Sequence, residues 1–532
     1  DMKQLYILAA LLLGLNLGVR AQSVITVSGD ISANTTWTSN NIYLLSGFVY
    51  VTNNAELTIE PGTVIKGDKA TKGSLIITRG SKIWADGTSS APIVFTSNEP
   101  VGTRTYGDWG GLIILGKASI NDPAGEKVIE GGVDPVKGLY GGTDDADNSG
   151  TLRYVRIEFP GIAFQPNNEI NGLTLGGVGN GTTIDYVMVS FSGDDAFECF
   201  GGTVNAKHLI SYRTLDDDFD TDFGFRGKMQ FLVALRDSNV ADVSGSNGFE
   251  SDNDATGSTN NPLTQPIYSN VTIIGPMATA STQINSNFKR GSHLRRSCKT
   301  SIFNSAIAGF PTGLLVDGAN CEANATNNEL QYQHNVLAGC ATPLAVASGS
   351  SWDISAWFTT PAFGNEQLTN SSDLQLMDPN NYANPDFMPS VGSPLLSGAD
   401  FSSNYLNDPF FESVSYRGAF GNSDWTNGWA NYDCENTNYT VGISEINSIR
   451  SISAYPNPAH RFAVVSFSLE QASDLSVSVI DLEGREVISL QPERYLAGEH
   501  RIELNVEALA QGIYTLVMRN ESAITTLRLA VN

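Results

Sequence analysis

From Ile42 onward the chain is a succession of short apolar runs bounded by Gly, Pro, Asn or Ser, with no extended helical period. Ile42-Tyr43-Leu44-Leu45, Phe48-Val49-Tyr50-Val51, Leu57-Thr58-Ile59 and Ser74-Leu75-Ile76-Ile77 are β-branched, aromatic or aliphatic, the composition of strands. The runs 153–157, 185–189, 207–211 and 229–233 alternate in side-chain character, which predicts strands with one buried face. Val187, Leu209 and Phe231 stand 22 residues apart. A fixed period of that size in short β-rich units is the mark of a solenoid, because one unit cannot bury its apolar face alone and neighbours must stack. The expected fold is all-β, a right-handed parallel β-helix over residues 22–350, with loops such as 244–264 leaving one side. Residues 351–434, with Trp352, Trp357, Trp425 and Trp429, read as terminal coils and a cap over the open end. Residues 435–453 read as a linker, and 454–532 as a small β-sandwich of alternating strands.

The same period joins Asp194-Asp195-Ala196-Phe197-Glu198 to Asp216-Asp217-Asp218-Phe219-Asp220. Phe249, Phe288 and Phe310 are expected to extend the phenylalanine column inside the solenoid, with Glu198, Asp220, Glu250 and Lys289 as an outward column beside it. Coils stack about 4.8 Å apart, and carboxylates at that spacing repel unless a cation, a base or a proton intervenes. Ca²⁺ takes about six to eight oxygen ligands. The candidate ligands are Asp194, Asp195, Glu198, Asp216, Asp217, Asp218, Asp220, Asp222, Glu250 and Asp252, with Asp254 nearby. The competing reading has these aspartates capping local turns, with Arg213, Arg226 and Lys228 neutralising the rest. The basic stretch 289–296 is a further counterweight.

Composition narrows the classes. The 532-residue chain holds 52 glycines and carries a net charge of −25, which argues against nucleic acid as a partner. Residues 1–21 read as a signal peptide, with Lys3 before an apolar run over 5–17 and Val19-Arg20-Ala21 as the cleavage site. No other segment is apolar enough to cross a bilayer as a helix, so the mature chain is expected to lack a transmembrane segment. Five cysteines leave one without a partner, and Cys321–Cys340, one coil apart, is the expected disulfide. The five histidines show no ligand spacing and read as structural or surface residues.

The tail resembles a type A sorting domain of the Bacteroidota type IX secretion system. The carrying residues are Tyr455-Pro456-Asn457-Pro458, the Asp481-Leu482-Glu483-Gly484-Arg485 turn, Gly498, and the run ending in Gly512-Ile513-Tyr514. That resemblance implies handling by the type IX machinery, removal of the tail, and a secreted or surface-attached product. The segments 57–67, 107–113, 193–202, 216–227 and 416–420 are similar to a large set of β-helix proteins from the same bacteria, which implies fold and location but no reaction. The architecture also resembles parallel β-helix pectate lyases, which hold Ca²⁺ beside an Arg or Lys base. Arg226, Lys228, Lys289 and Arg290 are the candidates for that base. The leading expectation is a Ca²⁺-stabilised protein that binds glycan or another partner in the extracellular matrix. A Ca²⁺-dependent polysaccharide lyase, or another carbohydrate-active enzyme, is the alternative.

Overall fold

The computed structural model describes residues 23–164, 169–439, 449–469, 472–481, 485–519 and 524–532. The expected signal peptide, part of the expected linker and the 482–484 tip of the sorting-domain turn lie outside these residues. The chain forms two compact units, 22–438 and 439–532.

The first unit is a β-helix. Twenty-six strands, from Ser23–Ile31 to Glu366–Leu368, make one continuous parallel sheet system in which each coil pairs with the next. Inward Leu, Ile, Val and Phe side chains form a single core along its length. Val187 pairs with Leu209 as the period predicts, but Leu209 then meets Leu232 rather than Phe231. The offset is still 22 at Phe200–Asp222 and already 23 at Ala206–Met229, so the turn between those strands holds one extra residue. Tyr154, Tyr186, His208 and Phe231 all have positive φ, and each kinks its strand. Their rings stack in sequence at 4.4, 4.2 and 5.3 Å.

Phe197, Phe219 and Phe249 stack in the core with both centroid spacings 5.7 Å. Ser292 and Leu314 continue this column, not Phe288 and Phe310. The irregular segment between Ile274 and Arg290 breaks the phase, so the 22-residue spacing of Phe288 and Phe310 belongs to another register. Phe288 lies beneath the Arg236 guanidinium at 5.2 Å.

Residues 382–438 run back along the flank of the solenoid. Trp429 meets Tyr154 and Tyr186 edge-on at 5.8 and 5.9 Å, and Trp425 meets His208 at 5.1 Å. Lys207–Glu412 and Lys228–Asp408 ion pairs, both 2.6 Å, fasten this strap, and Arg104 Nη1 donates to the Cys434 carbonyl at 3.0 Å. Trp425 and Trp429 therefore cover the kinked aromatic row and not an open end. Trp352 and Trp357 do pack together at the last coils, beside the short helix Ile354–Phe358.

No two cysteines are bonded to each other in this structure. The expected Cys321–Cys340 pair is absent because Cys321 sits on a helix, Ala319–Thr326, that interrupts the coil and turns its side chain toward Cys298. The Cys340 sulfur lies against Gly313.

The second unit is antiparallel, with a three-stranded and a five-stranded sheet around a core that includes Val465, Phe467, Val477, Leu516 and Leu529. Asn457 clamps the last strand: its Nδ2 donates to the Arg528 carbonyl and its Oδ1 accepts from the Ala530 N–H, both at 2.8 Å. Gly512 opens the Gly512–Arg519 strand, and the Tyr514 hydroxyl donates to the Ala510 carbonyl at 2.8 Å. Tyr455 is exposed. Among the described residues no helix is long and apolar enough to cross a membrane.

Candidate metal centre

Strand alternation builds the site. Phe197, Phe219 and Phe249 point inward, so Glu198, Asp220 and Glu250 point outward in register across three coils. His293, not Lys289, takes the next outward position. Lys289 precedes that strand, and its ammonium donates to the Ser286 carbonyl at 2.9 Å. The turns entering the strands supply a second acidic row. Asp195 Oδ1 accepts from the Asp217 N–H at 2.8 Å, and Asp217 Oδ1 accepts from the Asn247 N–H. Each aspartate thus fixes the turn of the following coil.

The two rows line a pocket of about 250 Å³. Its walls are Glu130, Asp194, Asp195, Glu198, Asp216, Asp217, Asp220 and Glu250, with Ser244, Gly245, Arg290 and Arg295. Three overlapping trios bring one oxygen from each member within 4.8 Å of the others: Asp194, Asp195 and Asp216; Asp195, Glu198 and Asp220; Asp217, Asp220 and Glu250. Asp195, Glu198 and Asp217 are only 7%, 8% and 4% exposed. One buried oxygen on each of Asp216 and Asp220 has no hydrogen-bond partner, and neither do the side-chain oxygens of Asn171 and Asn247. Asn171 donates its amide to Glu198, and Asn247 donates to Glu250 at 2.9 Å.

Two unit charges at this spacing repel by roughly 3 kcal/mol at an effective dielectric near 20. Burial, reinforced by neighbouring carboxylates, holds Asp194, Asp195, Glu198, Asp217 and Asp220 well above the ordinary carboxylate range. Burial likewise pushes Asp216 up to about 6 and Glu130 up to about 7. Glu250 is the exception. Burial works upward on it too, but His293 and Arg295 outweigh that and hold it below its usual value. Dense hard oxygen donors with unpartnered lone pairs suit a Ca²⁺-like cation, which would replace the shared protons.

The remaining candidates lie elsewhere. Asp218 accepts from Ser211 at 2.6 Å and pairs with Arg236 at 3.1 Å, fully buried. Asp222 accepts from the Phe223 N–H, and Asp254 caps its own loop at Thr256 and Ser258. Asp252 is bound by Arg295 and Arg296, each at 2.7 Å. Arg226 serves Asp145 at 3.2 Å, Lys228 serves Asp408, and Arg213 serves Asp237 at 2.6 Å, so none of these three neutralises the pocket. That role falls to the 289–296 stretch: Arg295 donates to both Glu250 and Asp252. His293 bridges Glu250 at 3.2 Å and Asp317 at 3.0 Å. Glu130 arrives from an insertion whose Ile129 and Val133 pack on Ile170 and Phe200, outside the repeat that carries the other acids.

Residues 29–377 match the family described as the pectate-lyase-like β-helix domain, and residues 453–532 match the secretion-system C-terminal sorting domain. The sorting domain marks a secreted or cell-surface protein handled by the type IX machinery. Similar solved chains include full-length tailspike protein 2 from Escherichia coli O157:H7 bacteriophage CAB120, at 10% identity and a TM-score of 0.22, covering 92% of this chain and 59% of that one. The enzymatically active domain of bacteriophage CBA120 tailspike protein 2 is similar at 11% identity and a TM-score of 0.21, covering 92% of this chain and 66% of that one. The chain thus spans less than two thirds of either tailspike chain. No curated protein matches it.

Proposed function

We propose, from the premise that this chain belongs to the pectate-lyase-like β-helix domain family, that its acidic pocket binds Ca²⁺ and presents the ion to an acidic glycan outside the cell. The observation that carries the reading is the convergence of carboxylate oxygens from successive coils within 4.8 Å. Arg290 and Arg295 at the pocket favour an anionic ligand, because guanidinium groups pair with carboxylates. Aromatic stacking is a poor alternative. The tryptophans are buried or partly buried, and none is among the exposed large apolar side chains of the described residues. A polymer held between Ca²⁺ and arginine would be recognised by charge.

A lyase is the second reading, favoured by Arg290 at the pocket wall. Arg295 is unsuited to accept a proton. Burial opposes its charge, but Glu250 and Asp252 more than compensate and hold it above the usual arginine range. Affinity electrophoresis in gels of acidic or neutral polysaccharide tests both readings. Retardation is expected only in acidic polymer with Ca²⁺, and not for Asp217→Ala with Asp220→Ala. Equal mobility with Ca²⁺ and with chelator refutes the binding reading. Release of unsaturated uronate ends, abolished in Arg290→Ala well beyond the accompanying loss of retardation, would establish the lyase.

A further inference from the structure

The helix Ala319–Thr326 leaves the strand Thr312–Asp317 and docks on the turn that follows Arg290–Arg295. Asn320 Nδ2 donates to Ser297 Oγ at 2.9 Å. Asn324 Nδ2 donates to the carbonyls of Ser297 at 3.2 Å and Cys298 at 2.9 Å. Positions three and four apart share a helix face, so Cys321, three residues before Asn324, is aimed at the same turn. Cys321 and Cys298 are both 0% exposed, and the neighbouring Cys298 is the main influence that raises the Cys321 thiol far above its usual range. The chain carrying them is secreted or held at the cell surface, where thiols meet oxidising conditions.

We propose that Cys298 and Cys321 are joined by a disulfide in the exported protein. Its formation removes one proton and one electron from each thiol and makes one Sγ–Sγ bond. The oxidant is a disulfide of a thiol–disulfide oxidoreductase in the export compartment, which leaves as two thiols. Both sulfurs are enclosed once the helix docks, so exchange occurs while the helix is still undocked. The product staples the helix to the coil beneath it and closes a 23-residue separation. Cys199, Cys340 and Cys434 stay reduced.

The test is made on full-length chain exported by its host, denatured without reductant and alkylated with iodoacetamide. Three labelled thiols are expected, rising to five after reduction. Trypsin leaves Cys321 and Cys340 on one peptide, because no Lys or Arg lies between Lys299 and Arg417. A glutamyl protease added to the tryptic digest cuts at Glu322 and Glu329 and separates them, and the linked peptides should carry Cys298 and Cys321. Cys298→Ser and Cys321→Ser should each raise the unreduced count to four, because each frees its partner. Reduction of the wild type should lower its melting temperature by about 3 °C, and that of the variants by nothing. Five labelled thiols in the unreduced wild type, or a link from Cys340 to either cysteine, would overturn the assignment.

Discussion

Glu250 and Asp220 occupy one outward column, yet they hold their protons differently. Glu250 has His293 and Arg295 beside it, whereas Asp220 has Glu250, Asp217 and Asp252. Replacing Arg295 with Ala leaves Glu250 and Asp252 without their main cation and should cost about 2–3 kcal/mol in denaturant unfolding with calcium absent. Asp220→Asn should do the opposite in chelator and raise the unfolding midpoint, because it removes one of the mutually repelling carboxylates. In calcium the same variant should lose at least tenfold in metal affinity, as read by titration. The outward position of Glu198, Asp220 and Glu250 was legible, since each follows an inward phenylalanine. His293 was not legible, because the residue before it in the column is Ser292 and the apolar marker is missing. Glu130 carries no local signal at all: it lies in an insertion and reaches the pocket through tertiary packing.

The stacked Phe197, Phe219 and Phe249 strands set the spacing of the carboxylates outside them. Phe219 is 1% exposed, so Phe219→Ala should cost about 3–5 kcal/mol and loosen the pocket as well as the core, with both effects visible in one calcium-dependent melt. The 382–438 strap is a separate element with its own signature. Trp429, 2% exposed, is its anchor on Tyr154 and Tyr186. Trp429→Ala should make the strap the first site of limited proteolysis while the coils stay intact. The strands were readable from alternation and the 22-residue period, but the strap was not. A cluster of tryptophans among Gly, Asn and Ser declares burial without saying on what. Its partner surface is a row of left-handed aromatic residues, and the period alone does not reveal it.

At the scale of the whole molecule, the charge of −25 is distributed unevenly, and the pocket concentrates part of it where water is scarce. The folded pocket holds protons that the unfolded chain, with carboxylates near 4, releases. Asp216 and Glu130 are raised to about 6 and about 7, so the stability this pocket contributes without metal is fully present near pH 4 and is lost as pH rises through 6 to 7. Calcium bound as proposed would compete with those protons, so its stabilising effect should grow over the same interval, as read by melts from pH 5 to 7.5 with chelator and with calcium. The carboxylates of successive coils are proposed to form one metal site. The most direct measurement is calorimetric titration of Ca²⁺ into residues 22–438 at pH 7.5, alongside the Asp217→Asn, Asp220→Asn double variant. Saturable binding with a raised melting temperature is expected in the first protein and neither effect in the second. Absence of binding to the unaltered protein, or binding equally strong in the variant, would contradict it.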